Sequence, residues 1–320
     1  MLEMNKLLIL AYNEELYIKE TILSYINDFE EILIVDDCSN DSTQDILSEL
    51  SSNHSNLKVI RNEKNYGAGK SMQIGIDEAL KSNFEYLVKI DGDNQFNKTD
   101  ISNILKLAKD NEASFIKSDR FWKDGIEGNI PKIRYFGNAF ASFLIKFITG
   151  NSNINDPLNG LFLFSFNISN NIRIPKIFHR YGYPFYINTQ IYMYSLETNL
   201  KLFQYKNKIS YKAETSYIKP FVLFVKLITY SIKFYLKFIK EKLRYSQYQM
   251  SGLLDIFSIF SLFLSIFFFS KSILVRYFNV DGNQGAWFIL FVMFLLFFAL
   301  INISSRAILK KINSKIFDYL

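Results

Sequence analysis

The sequence predicts an α/β domain built on an open, mostly parallel sheet, followed by an α-helical hairpin able to cross a membrane. Two observations predict the sheet. Short apolar runs alternate with helix-length stretches through the first hundred residues, in a βαβ rhythm. Polar residues gather directly after each run, where open parallel sheets bind their ligands. A third observation predicts the hairpin. Two nearly charge-free runs, residues 256–275 and 285–303, are each about the 20 residues needed to span a bilayer core.

The first strand is expected at residues 6–10 and stops at Ala11-Tyr12-Asn13-Glu14-Glu15, with a helix following to about residue 27. The second, residues 31–35, ends in Asp36-Asp37-Cys38-Ser39-Asn40-Asp41-Ser42-Thr43 and leads into a helix over 43–50. Asp36 and Asp37 either cap that helix or hydrogen-bond a nucleobase or ribose. Two adjacent acids at a buried strand end are costly without a partner, which favours the ligand. The third strand, residues 57–60, leads to Asn65-Tyr66-Gly67-Ala68-Gly69-Lys70 and a helix over 71–80. Glycines there let backbone N–H groups approach a phosphate, and Lys70 adds charge. The segment is neither G-x-G-x-x-G nor a P-loop, so a nicotinamide site and a P-loop both lose ground. The fourth strand, Tyr86-Leu87-Val88-Lys89-Ile90, runs into Asp91-Gly92-Asp93-Asn94-Gln95. Carboxylates spaced i, i+2 off a strand end can converge on a hard divalent cation. Taken alone, the same residues also read as an ordinary surface turn.

Together these pieces resemble the family 2 glycosyltransferases with the GT-A nucleotide-sugar fold. The resemblance rests on AYNE (11–14), VDD-x-S-x-D-x-T (35–43), N-x-G-x-G (65–69) and D-x-D-x-Q (91–95), in matching order and spacing. It implies a nucleotide-diphosphate-sugar donor, UDP- or GDP-linked, and a Mg²⁺ or Mn²⁺ ion. It implies that Asp91 and Asp93 bind metal and diphosphate, that Gln95 joins the metal shell, and that Ala11, Tyr12, Glu14 and Asp37 form the nucleoside pocket. Where relatives often carry a lysine between the two glycines, this chain has Ala68.

Further on, Ser118-Asp119-Arg120-Phe121, Arg134-Tyr135-Phe136-Gly137-Asn138 and Thr149-Gly150 through Asp156-Pro157-Leu158-Asn159-Gly160 are similar to segments of polyprenyl-phosphate hexosyltransferases of the dolichol-phosphate mannose synthase kind. By that resemblance Arg120 and Arg134 bind phosphate, a task suited to the planar guanidinium fork. Asp156 is a base if the acceptor is a hydroxyl. A phosphate acceptor is already ionised and needs none, and Asp156 would then orient the sugar or an arginine. Asn188 and Gln190 stand where many relatives carry an acid. Glu214-Thr215-Ser216-Tyr217 approximates a G-x-S segment near the membrane, without its glycine.

The net charge is +6, and much of the Lys/Arg excess lies between residues 201 and 245, next to the apolar runs. A membrane-facing basic surface is therefore expected, and no nucleic acid. Residues 221–243 place Phe, Leu and Ile at helical spacing with lysines between them, a basic amphipathic helix for an anionic surface. One Cys, Cys38, excludes an internal disulfide and a cysteine zinc site, and two His make a histidine metal site improbable. The opening MLEMNKLLILAYNEE lacks a long apolar stretch, so no signal peptide is expected. Lys/Arg flank both spans on the outer sides of the hairpin, so both ends are expected inside.

The expected organisation is a catalytic domain over 1–215, a basic juxtamembrane helix over 216–250 and a two-helix anchor over 251–320. The expected activity is inverting, metal-dependent hexosyl transfer to a polyprenyl phosphate at the inner face of the cytoplasmic membrane. Two alternatives stay open: a same-fold transferase acting on a hydroxyl of a glycan or lipid-linked oligosaccharide, and a non-catalytic membrane scaffold. Self-association is also open.

Overall fold

A computed structural model of the chain describes residues 4–122, 126–127, 132–210, 220–278, 281–312 and 317–319. In chain order the elements begin β1 (Lys6–Ala11), α1 (Ile18–Tyr25), β2 (Glu31–Asp36), α2 (Thr43–Asn53), β3 (Leu57–Arg61), α3 (Ala68–Ala79) and β4 (Tyr86–Asp91). They continue with α4 (Lys98–Asn111), β5 (Phe115–Asp119), β6 (Ile126–Glu127), α5 (Lys132–Thr149), β7 (Phe162–Ser165), α6 (Phe166–Ser169) and α7 (Tyr183–Tyr194). Last come β8 (Leu202–Lys206), β9 (Ile209–Ser210), α8 (Pro220–Arg244), α9 (Gln249–Tyr277), α10 (Gln284–Ile312) and β10 (Asp318–Tyr319). The Glu214–Tyr217 segment lies outside the described residues.

The chain divides into two compact units, one of residues 1–146, 152–231 and 315–320, the other of residues 147–151 and 232–314. The first holds an eight-stranded sheet in the order β10-β8-β5-β7-β4-β1-β2-β3. All its pairings are parallel except those of β7 with β4 and β5. KLLILA, EILIVD and YLVKID are buried almost throughout, as strands covered on both faces must be. Register aligns their carboxyl ends: Ala11 pairs with Asp36, and Leu10 with Asp91. From β1 the order runs to β2 and β3 on one side and to β4 on the other, so the sheet reverses between β1 and β4. Such reversals are where open α/β sheets bind ligands.

Three buried lysines, in β1, β4 and β5, have partners that offset their burial. Lys6 meets Glu31 at 2.6 Å and donates to the Ala79 carbonyl at 3.0 Å. Lys89 meets Asp91, and Lys117 donates to the carbonyls of Ser118 and Asn155. Helix α3 starts at Ala68, before the expected residue 71, because the Gly67 carbonyl already accepts from Lys70 and Ser71.

Within the same unit, α5 and the start of α8 meet where Phe140 stacks on Phe224 at 4.4 Å. Both helices leave large apolar side chains exposed: Phe136 at 68% and Phe143 at 61% on α5, and Phe221 at 76% on α8. A soluble domain rarely leaves such side chains together in water.

In the second unit, α9 and α10 are each long and apolar enough to cross a membrane. The apolar window of α10 is only 6% buried, unlike a soluble core helix. Helix α9 buries Ser251, Ser258, Ser261 and Ser265, small residues at helical spacing that let a neighbouring helix approach. Ser261 and Ser265 donate to the Phe294 and Phe291 carbonyls of α10 at 2.7 and 3.2 Å. Ser258 bonds Asn302, Ser251 bonds Ser305 at 2.9 Å, and Lys242 pairs with Asp255 in a fully buried contact.

Candidate active site at the reversal of the sheet

Asp91 is the last residue of β4, with 39% of its side chain exposed. Beneath it the fully buried Lys89 ammonium reaches its Oδ1 at 2.5 Å and lies 5.5 Å from the Tyr183 ring. Burial pulls the lysine toward neutrality, but the Asp91 charge and the Tyr183 hydroxyl outweigh it and hold the ammonium above its usual pKa. The loop carrying Gly160 closes against the pair: a Cβ there would stand 2.5 Å from Asp91 Oδ2 and 3.0 Å from Lys89 Nζ. Asn94 takes a left-handed φ of 53°, and the Gln95 amide donates to Asp93 Oδ1 at 3.3 Å. Asp93 and Gln95 are half-buried.

Among the described residues no three His, Cys, Asp or Glu gather into a metal cage. Mg²⁺ and its relatives are commonly held by one or two carboxylates plus substrate phosphates. The oxygen donors of Asp91, Asp93 and Gln95 fit a hard dication shared with a diphosphate, and not an ion enclosed by protein.

The turn after β1 is locked to the turn after β2. The buried Ala11 carbonyl accepts from the Asp37 amide at 2.9 Å. The Asn13 amide donates to Ser39 Oγ at 2.9 Å, and that of Glu14 to Thr43 Oγ1 at 2.8 Å. Tyr12 and Glu14 remain half-buried on this rim.

Asp36 and Asp37 are both buried and both hold the local backbone. Asp36 Oδ1 accepts from the Ser39 amide and hydroxyl at 3.0 and 2.5 Å, and its Oδ2 faces Arg61 at 3.5 Å. Asp37 accepts from Asn62 at 2.7 Å and from the amides of Tyr66 and Gly67 at 2.9 and 2.7 Å. A carboxylate has about four lone-pair directions, and these bonds occupy three of those of Asp37.

Where a phosphate cradle is expected, at residues 65–70, four backbone amides have protein partners. The Tyr66 and Gly67 amides are taken by Asp37, and those of Gly69 and Lys70 by the His179 carbonyl at 2.6 and 3.1 Å. The glycines serve chain packing: a Cβ on Gly67 (φ 97°) would stand 2.5 Å from Arg180 Cα, and one on Gly69 2.1 Å from the Phe178 carbonyl oxygen. What remains for a ligand is the side chains of Asn65 and Lys70, both half-buried.

Arg120 follows β5, and Asp156 lies in the loop before β7 with a left-handed φ of 43°. They form a forked pair, Nε to Oδ2 at 2.7 Å and Nη2 to Oδ1 at 2.8 Å. The Arg120 amide and Asn159 Nδ2 also donate to Asp156 Oδ2, at 3.0 and 3.1 Å. Burial would raise the Asp156 carboxyl, but the Arg120 charge and hydrogen bonds hold it below the usual range. A carboxylate so engaged orients an arginine and makes a poor proton acceptor. Arg134 stands half-buried in the first turn of α5. The structure thus brings Ala11, Asp36, Asp37 and Asp91 together at the carboxyl ends of β1, β2 and β4 and pairs Arg120 with Asp156.

Several site residues escaped the sequence reading. Lys89 and Lys117 are legible only as a lysine inside each of two apolar strands, and Gly160 only as the end of the Asp156–Gly160 segment, with no role of its own. A buried charge demands a partner, so the two lysines were the signal. Burial lowers Lys117 to about 8, with Asp156 and Asp119 pulling the other way.

An open, mostly parallel sheet with acidic turns at its reversal and two long apolar helices after it is an α/β fold of the GT-A type. The chain belongs to glycosyl transferase family 2, whose model matches residues 7–173. It is 31% identical over 172 residues to the UDP-N-acetylglucosamine--dolichyl-phosphate N-acetylglucosaminyltransferase of Methanococcus voltae, covering 50% of this chain and 68% of that one. It is 36% identical over 140 residues to an uncharacterized protein of Methanocaldococcus jannaschii, covering 42% of this chain and 57% of that one. Glucosyl-3-phosphoglycerate synthase from Mycobacterium tuberculosis, solved with Mn²⁺ and UDP-glucose, shares the fold with a TM-score of 0.53 at 16% identity. That likeness covers 74% of this chain and 79% of the synthase.

Proposed function

We propose that the chain is a membrane-anchored, inverting glycosyltransferase that moves a hexosyl group from a nucleotide-diphosphate sugar to a polyprenyl phosphate. The observation that carries this reading is the Asp91–Gln95 turn at the reversal of the sheet, in a chain that also carries two membrane-length helices. Similarity to the Methanococcus voltae enzyme supports the lipid-phosphate acceptor and makes UDP-N-acetylglucosamine the first donor to test. The exposed aromatic residues of α5 and α8 support work at a lipid surface, and the Lys/Arg flanking the two apolar helices support the cytoplasmic side of the inner membrane for the catalytic unit and both ends.

Asp91, Asp93 and Gln95 would hold a divalent cation, Mg²⁺ or Mn²⁺. When bound, that ion would neutralise charge gathering on the departing diphosphate. Tyr12, Glu14, Asp37 and Asn65 line the nucleoside end, and Lys70 adds a positive charge there. Arg120, aimed by Asp156, and Arg134 grip phosphate oxygens. An oxygen of the lipid phosphate attacks the anomeric carbon as the bond to the diphosphate breaks, which inverts that carbon. The ionised acceptor needs no base, in keeping with an Asp156 committed to Arg120. A hydroxyl acceptor would require Asp156 to leave that pair, which disfavours the alternative.

The test is label transfer into an organic-extractable lipid by the detergent-solubilised full chain, with undecaprenyl phosphate, Mg²⁺ or Mn²⁺, and UDP-N-acetylglucosamine, UDP-glucose or GDP-mannose. The expected result is lipid label from one donor, abolished by EDTA and in folded D91A and D93A. Metal-dependent nucleotide binding with no lipid label from any donor would overturn the lipid-phosphate reading.

A further inference from the structure

Strand β10 is two residues long, yet the segment is fixed to the edge of the catalytic sheet at several points. The Phe317 amide donates to the Leu202 carbonyl at 2.8 Å, and Gln204 donates to the Phe317 carbonyl at 2.9 Å. The Phe317 ring is fully buried, edge-on to Phe115 at 6.2 Å. Asp318 and Tyr319 then pair in parallel with Phe203 and Gln204 of β8.

This register aims one hydroxyl. Tyr319 donates to Asp119 Oδ2 at 2.5 Å and accepts from Asn155 Nδ2 at 2.5 Å, while the Lys206 ammonium sits 4.9 Å from its ring. Asp119 immediately precedes Arg120, and Asn155 immediately precedes Asp156. The tyrosine therefore bridges the two backbones that carry the forked pair.

The two backbones are also joined by the Arg120 amide, which donates to Asp156 Oδ2 at 3.0 Å, and by Lys117, which donates to the carbonyls of Ser118 and Asn155. Asp119 Oδ1 accepts from the Phe121 amide at 2.9 Å, and the Asp119 carbonyl from the Asn207 amide at 3.2 Å. The Asn155 amide donates to Gln204 at 2.9 Å, its carbonyl accepts from Lys117, and its Oδ1 accepts from Lys146 at 2.7 Å. The Tyr319 hydroxyl adds a hydrogen bond to the side chain of each residue, donating to Asp119 and accepting from Asn155, so the spot requires one donor and one acceptor.

We propose that Tyr319 is a positioning residue: added to the sheet edge as part of β10, it fixes the separation of Asp119 and Asn155 and thereby the orientation of Arg120. Its effect on transfer rests on the function proposed above, but its effect on the two loops does not.

The experiment compares the full chain with Y319F in detergent, because phenylalanine keeps the ring and removes only the hydroxyl. Amide hydrogen exchange is read over residues 118–121 and 155–159, with residues 32–35 of β2 as the internal control. The expected result is exchange about tenfold faster in the first two segments and unchanged in the control, the scale set by one hydrogen bond to a charged group. In the transfer assay kcat falls about tenfold while KM for donor and for lipid phosphate stays constant, as for an interaction made in the transition state. Unchanged exchange in both loops overturns the proposal, whatever the activity. Faster exchange with an unaltered kcat in an active enzyme overturns the positioning role. A wild-type chain without transfer activity counts against the proposed function, and the exchange result then decides the proposal alone.

Discussion

Single residues in this site spend their charge mainly on one another. Asp156 is fully buried and depends on Arg120, so Asp156→Asn removes the partner of a largely buried guanidinium. Breaking such a pair costs about 3–5 kcal/mol. Because the folded carboxyl lies below its ordinary value of 3.8, the pair's stabilisation is complete above that pH and fades as pH falls through the lower folded value. The unfolding midpoint of the wild type should therefore exceed that of D156N by a constant margin from neutrality down to about pH 4. The margin should close in more acidic buffer, and thermal melts across that range would check it. Lys89 illustrates a related economy. Two carboxylates and one ammonium leave the Asp91–Asp93 turn with a single negative charge, enough to attract a cation without strongly repelling a diphosphate.

At the scale of elements, the site depends on loops that close against strand ends. Gly160→Ala places a Cβ on Asp91 Oδ2 and Lys89 Nζ. Overpacking of this kind costs roughly 1–3 kcal/mol. The expected outcome is a folded protein whose metal-dependent nucleotide affinity, read by calorimetry, drops at least about tenfold, or about 1.4 kcal/mol. The strands were legible in the sequence because each must be apolar on both faces, and the acidic turns because polar clusters recur after every strand. The packing role of the glycine turn is hidden in the sequence for a physical reason. Its amides are satisfied by Asp37 and by the His179 carbonyl, a partner from a segment far along the chain that leaves no local pattern. The Asn155 hub and the Tyr319 bridge were hidden in the same way. Each is assembled from residues that are ordinary singly and that only the folded sheet brings together.

At the scale of the whole molecule, the helical unit follows different rules from the sheet. Small residues and buried hydrogen bonds join α9 to α10, since apolar bulk gives no advantage against lipid. Lys242→Met alone leaves Asp255 buried without its cation. It should destabilise the helical unit, where α8 meets α9, by about 3–5 kcal/mol, whereas K242M/D255L should recover most of that loss. Thermal unfolding in detergent with a probe in α10 distinguishes the two. The placement of β10 carries one more consequence. It hydrogen-bonds β8 within one sheet, while α9 and α10 lie between those strands in sequence. Two strands of one sheet occupy one side of any bilayer, so the intervening chain must cross an even number of times. Parity therefore joins the fates of the two helices, whatever their separate hydropathies: both traverse the membrane or neither does, and deleting one would carry Tyr319 to the wrong compartment.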